Sequence, residues 1–199
     1  MWATGDTLYN PVTLEWGRVV MSAADSGGGH VTGELLAQPT AHPAGPHRHP
    51  HMEERFSVLS GELSYRLGAT TGVIGPGEEI VVPAGVDHDW WNGGDQVCNA
   101  HVTATPPGRF LDMIGSVWGL AALGRTTDYG GPKPLDGILL AEAFADDIVF
   151  LSPPPVVQKV MARAAAPLIR ASGRSVDSAD VLRAAVVAGE NWPASQSGG

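Results

Sequence analysis

The densest group of chemistry-bearing side chains in this 199-residue chain is His47-Arg48-His49-Pro50-His51-Met52-Glu53-Glu54. Imidazole nitrogens and carboxylate oxygens are the donors that first-row divalent metals accept, so the segment points to a metal site. On an extended chain, residues two apart face the same side, so His47 and His49 can grip one ion from one strand. Counting by twos from Glu54 gives Phe56 and Val58. Glu54 therefore shares a face with apolar side chains that must point into a core. A lone inward carboxylate is costly unless a cation compensates it. A further imidazole stands at the end of Gly77-Glu78-Glu79-Ile80-Val81-Val82-Pro83-Ala84-Gly85-Val86-Asp87-His88. The same count puts His88 on one face with Trp90. One patch of sequence rarely closes around a metal alone, and a distant strand that supplies one more His completes the shell.

The other candidates read differently. His51 has the spacing to replace His47 or His49, and Glu53 faces away from Glu54 as a solvated or supporting carboxylate. His30 and His42 sit in loop or edge contexts and are expected at the surface. Around His101 the apolar phase is Cys98, Ala100, Val102 and Ala104, so His101 points the other way. Cys98 reads as a small buried hydrophobe. Tyr65 lies on the Leu63/Leu67 phase, as pocket wall or proton donor. Phe56, Val58, Tyr65, Trp90 and Val102 are the expected pocket lining, which suits a largely apolar small molecule.

Short strands must position these groups. Residues 12–105 alternate in polarity, as in Val31-Thr32-Gly33-Glu34-Leu35 and Leu63-Ser64-Tyr65-Arg66-Leu67. Ser26-Gly27-Gly28-Gly29, Ser60-Gly61-Glu62, Gly75-Pro76-Gly77 and Asn92-Gly93-Gly94-Asp95 punctuate them as turns. Strands this closely spaced predict a sandwich or barrel. After Thr105-Pro106-Pro107-Gly108 the period changes. Phe110, Ile114, Val117, Trp118 and Ala121 share one helical face, and a second helix is expected over residues 135–145. A third begins near Pro153-Pro154-Pro155, with the stripe Val156, Val157, Val160, Met161, Ala164 and Ala165 as core or subunit contact. Pro167 should kink or end it. A fourth helix spans about 177–188, with Asp or Ser near its N-cap and Gly189 just past its end. Thus 1–108 reads as a barrel, 109–190 as a helical extension packed on the barrel or in a dimer interface, and 191–199 as a loose tail.

Composition narrows the function classes. The net charge of −9 disfavours nucleic acid and anionic membrane as partners. A single Cys cannot make an internal disulfide. The first ten residues lack a basic then apolar pattern, and no apolar run approaches the ~18 residues of a membrane span. These features point to a soluble, cytoplasmic protein.

Two motifs then become specific. The chain reads His47-x-His49-x4-Glu54-x6-Gly61 and, about 15 residues later, Gly77-x5-Pro83-x-Gly85-x2-His88-x3-Asn92. These resemble the two cupin motifs, G-x5-H-x-H-x3–4-E-x6-G and G-x5-P-x-G-x2-H-x3-N, with Ala41 where the first Gly belongs. The resemblance covers about residues 40–95 by motif. It implies a mainly β fold, a cupin-type β-barrel (a jelly roll, or double-stranded β-helix), here followed by C-terminal α-helices. It also implies one divalent ion (Fe, Mn, Ni, Co, Cu or Zn) on His47, His49, Glu54 and His88. By the same resemblance the chain is expected to be a homodimer and a metal-dependent enzyme. An oxygenase similar to quercetinase-like cupins is expected first, with Glu54 and Tyr65 as catalytic groups. The alternatives are a non-redox isomerase, lyase or cyclase, and a small-molecule binding or sensing module without turnover. Metal binding should weaken as pH falls through about 6, because each His must shed its proton to ligate.

Overall fold

The strict alternation of Cys98, Ala100, Val102 and Ala104 makes β10 (Cys98–Thr105), with those four side chains buried and the residues between them turned outward. Glu54, Phe56 and Val58 do the same for β5 (Glu53–Ser60). The computed structural model describes residues 2–40, 45–189 and 192–193. In it, β1 (Thr7–Asn10), β2 (Glu15–Met21), β3 (Val31–Ala37), β5, β8 (Glu79–Val82), β10 and β12 (Val186–Val187) form one antiparallel sheet in the order β12-β1-β2-β3-β10-β5-β8. A second antiparallel sheet runs β11-β4-β9-β6-β7, from β4 (His47–Arg48), β6 (Leu63–Leu67), β7 (Thr70–Ile74), β9 (His88–Trp91) and β11 (Val149–Phe150). Their facing sides hold Val19, Val31, Phe56, Val58, Leu63 and Ala100 in one core.

The glycine and asparagine of the motifs have structural work. Gly61 has φ of 74°, and a Cβ there would lie 2.4 Å from the Val97 carbonyl oxygen, so no other residue fits. Asn92 is fully buried. Its Nδ2 donates to the carbonyls of Ala37 and Gln96, both at 2.8 Å, and its Oδ1 accepts from Gly94 N.

Four helices follow: α1 (Phe110–Ala122), α2 (Pro134–Ala143), α3 (Pro155–Ala171) and α4 (Ala179–Ala185). α1 turns Met113 and Trp118 toward the core, while Gly115 and Gly119 let Trp2 and α4 approach closely. Asp136 of α2 is wholly buried and is held by Arg125 and Arg174, which ties the helical layer together. Among the described residues no helix is long and apolar enough to cross a membrane.

The structure departs from the sequence expectations in four places. Strand pairing begins at Thr7, not at residue 12. α3 runs through Pro167 to Ala171. Its apolar stripe is turned outward, with Val156 68% and Val160 62% exposed. The buried row is Ala162, Ala166 and Ile169, because small side chains let α3 lie close on α2. α4 starts at the Ser178 N-cap but stops at Ala185, since Val186 and Val187 extend into β12 and pair with Leu8 and Thr7. The tail has an anchor: Trp192 meets Trp16 edge-on at 6.5 Å, and the Arg18 guanidinium lies 4.4 Å from its ring centre. The remaining tail from 194 onward, His42 and Ala41 lie outside the described residues.

Candidate metal centre

The four sequence-predicted ligands come from three strands and the loop after β4. His47 lies on β4, His49 just after it, Glu54 on β5 and His88 on β9, where it pairs directly with His47. All four are buried, and one donor atom of each lies within 4.8 Å of the others. Ring centres are 4.2 Å apart for His47 and His88, 5.2 Å for His47 and His49, and 5.4 Å for His49 and His88.

Each imidazole is oriented by the backbone. His47 Nδ1 donates to Gly45 O at 2.7 Å, His49 Nδ1 to Asp147 O at 2.7 Å and His88 Nδ1 to Val86 O at 3.1 Å. Neutral rings fixed this way carry their Nε2 lone pairs to the cluster centre. His49 Nε2 is buried there with no hydrogen-bond partner among the described residues. His88 Nε2 and His49 Nε2 face Glu54 Oε2 at 3.1 and 3.6 Å. Lone pairs facing a carboxylate across such distances repel, and a proton or a metal cation between them removes the conflict. Two donors bound to one ion at about 2.1 Å sit about 3.0 Å apart at right angles and about 3.4 Å apart in a tetrahedron. The donor set therefore fits a divalent ion.

The electrostatics agree with that fit. Burial alone would raise the Glu54 carboxyl, but His49 and His88 beside it outweigh burial and hold it well below the usual carboxylate range. Burial, with help from His88, pushes the His47 imidazole down to about 4, so it is neutral and able to ligate at neutral pH. Burial opposes a charged His49, and Glu54 beside it reverses that, raising the imidazole.

The cluster opens into a cavity of about 320 Å³. Phe56, Trp90 and Val102 line it as expected, with Phe56 and Trp90 ring centres 5.8 Å apart. Tyr65 and Val58 do not line it. Tyr65 pairs with Trp90, but its ring covers Gly72 across β6 and β7. A Cβ on Gly72 would lie 2.5 Å from the Tyr65 hydroxyl, so the missing side chain is what accommodates the ring. Val58 is one full pleat beyond Phe56, paired with Ala100 deep in the core. Of the remaining candidates, His51 is exposed and Glu53 pairs outward with Arg55 at 3.6 Å. His30 and His101 are half-buried outside the cluster, and Cys98 is fully buried, its thiol pushed up to about 11 by burial.

Three contributors escaped the sequence reading. Asp147 offers its carbonyl to His49, while its carboxylate accepts from Arg109 N at 2.7 Å and so fixes the loop before β11. α1 walls the cavity, with the Phe110 ring 6.1 Å from that of His49. Glu15 on β2 is a second carboxylate in the wall, raised to about 7 by burial against a smaller opposing bond from Thr13. Counting by twos back from Val19 would have found Glu15. Nothing local marks the Asp147 carbonyl, because its role depends on a contact spanning 98 residues.

Residues 34–103 match the family model described as "Cupin domain". Over that segment, about a third of its length, the chain is similar to cupin domains. Outside the matched segment lie β1, β2 and all four helices. No curated protein matches the chain. Similar solved structures include the Cnp3 cupin domain of Schizosaccharomyces pombe, at 16% identity and TM-score 0.41, over 46% of this chain and 64% of that one. The chain thus spans less than two thirds of that domain's length. TT1209 from Thermus thermophilus is similar at 21% identity and TM-score 0.44, over 50% of this chain and 89% of that one. The polyketide cyclase RemF from Streptomyces resistomycificus is similar at 26% identity and TM-score 0.41, over 53% of this chain and 70% of that one.

Proposed function

We propose that this protein is a metal-dependent enzyme acting on a small, largely apolar organic molecule, and specifically a dioxygenase. The observation that carries this reading is a three-His, one-Glu donor set of which His47, His49 and Glu54 line an aromatic-walled cavity. A closed structural site would have no such access. His47, His49, Glu54 and His88 would hold the ion, which supplies Lewis-acid and, for a redox metal, electron-transfer chemistry. A dioxygenase places both atoms of dioxygen in its product, so no external reductant is required.

The chain's own residues do the rest. Gly45, Val86 and Asp147 carbonyls hold the three imidazoles in the tautomer that presents Nε2. Phe56, Trp90 and Val102 exclude water from the substrate body, and Phe110 closes the wall beside His49. Glu54, held as an anion, serves as a ligand better than as a base near neutral pH.

The test is turnover of phenolic and enolic substrates by iron-, manganese-, nickel- and zinc-loaded protein, with and without dioxygen. Consumption of dioxygen in step with product, confined to redox metals, supports the reading. Equal turnover with zinc and without dioxygen would reassign the chain to the isomerase, lyase or cyclase class.

A further inference from the structure

Glu15 has no role in the metal centre, yet it lines the same cavity. On β2 it shares the inward phase of Gly17 and the buried Val19. The Thr13 hydroxyl donates to Glu15 Oε2 at 2.7 Å, and no arginine or lysine among the described residues pairs with it. A carboxylate accepts about four hydrogen bonds, so one hydroxyl leaves most of its capacity open toward the cavity. Burial without a cationic partner accounts for the carboxyl being pushed up to about 7.

α1 measures how far Glu15 stands from the metal ligands. Phe110, in its first turn, lies beside His49. Trp118, two turns on, packs against Gly17, where a Cβ would sit 3.0 Å from the indole ring. Eight residues of helix span about 12 Å. The sheet order gives a consistent figure. β2 and β5, which carry Glu15 and Glu54, are three strand spacings apart, about 14 Å. Glu15 therefore cannot join the metal shell. The space between is walled by Phe56, Trp90, Val102, Ile114 and Val117. Asn10, Arg18, Glu34, Gln38 and Asp128 also line the cavity, so these apolar walls stand beside further polar groups.

We propose that Glu15 is the recognition point for the far end of the ligand. It accepts a hydrogen bond from a hydroxyl or ammonium group on an elongated aromatic molecule whose oxygen-bearing end faces the metal site at His47, His49 and Glu54. This rests on the metal-dependent reading above and adds the substrate class, a flat aromatic body with a metal-seeking oxygen at one end and a hydrogen-bond donor at the other.

The test uses two rigid probes, 2-naphthoate and 6-hydroxy-2-naphthoate, titrated calorimetrically into the zinc-loaded protein. The hydroxyl should tighten binding about tenfold, the worth of a hydrogen bond to a charged acceptor. In Glu15→Leu that preference should vanish while 2-naphthoate binds as before. In Glu15→Gln, which keeps an acceptor oxygen and the side-chain shape, it should fall to threefold or less. Stripping the zinc should weaken both probes and leave the hydroxyl preference in place, which separates failure of the metal reading from failure of this one. Equal affinity of the two probes for the wild-type protein, or an undiminished preference in both variants, would overturn the proposal.

Discussion

Replacing Gly119 by alanine should destabilise the protein even though alanine is the better helix former. Gly119 is where α1 crosses α4, and a Cβ there would lie 1.9 Å from the Val181 carbonyl oxygen and 2.8 Å from its carbon. Ordinary contact begins near about 3.4 Å, so the two helices must part by about 1.5 Å. The obstacle is backbone, which cannot rotate away as a side chain can. Overpacking of this kind costs up to about 3 kcal/mol. Alanine regains about 1 kcal/mol of helix propensity. The net loss is about 2 kcal/mol, close to a thirtyfold shift in the folding equilibrium. Gly137 in α2 is the matched control. Its Cβ would meet only Pro132 Cγ at 3.6 Å, an ordinary contact, so Gly137→Ala should stabilise by up to about 1 kcal/mol. Urea unfolding of the two variants should therefore move the midpoint in opposite directions. A Gly119→Ala protein as stable as wild type would refute the close crossing of α1 and α4, and with it the placement of α1 as a cavity wall.

Three further outcomes follow from the same geometry. Asp147→Ala removes the acceptor for Arg109 N and frees the loop whose carbonyl orients His49. Metal affinity, read by chelator competition, should drop at least about tenfold, and an unchanged affinity would show that the loop is held otherwise. Asp136→Ala leaves Arg125 and Arg174 without their buried partner and should cost about 3 kcal/mol in urea unfolding, against little change if the pair is screened by water. Glu15 binds its proton more tightly folded than unfolded, so its contribution to stability is full below about 4.5 and is lost as pH rises through about 7. Glu15→Gln mimics the protonated form, so its Tm should exceed wild type at pH 8 and match it at pH 5. A constant difference across that range would contradict the assigned burial.

The β-sheet fold and the four-residue donor cluster were legible because period and spacing are local signals. Alternation in Cys98–Thr105 revealed β10 directly, and the two-residue count correctly placed His47, Glu54 and His88 on inward faces. The same count failed to separate Val58 and Tyr65 from the cavity, because a face of a strand says nothing about which stretch of that face meets open space. The Tyr65 ring fills the gap over Gly72, a neighbour made by register between β6 and β7. Helical period found α1 and α3 but left open whether the α3 stripe serves the core or a subunit contact, and in the single chain it is turned outward. Val156 and Val160 make a stronger apolar stripe than Ala162 and Ala166, yet packing against α2 rewards small residues over large ones. The strands β11 and β12 were invisible. Two residues carry no period, and Val149 and Val186 pair only because distant strands offer open edges.

The most direct measurement is elemental analysis of protein purified without added metal, run beside His88→Ala. One transition-metal ion per chain in the wild-type protein, lost or reduced to a trace in the variant, is the predicted result. Wild-type protein that carries no ion and takes up none on dialysis against iron, manganese, nickel or zinc would contradict the metal centre. So would a His88→Ala variant that keeps its full complement.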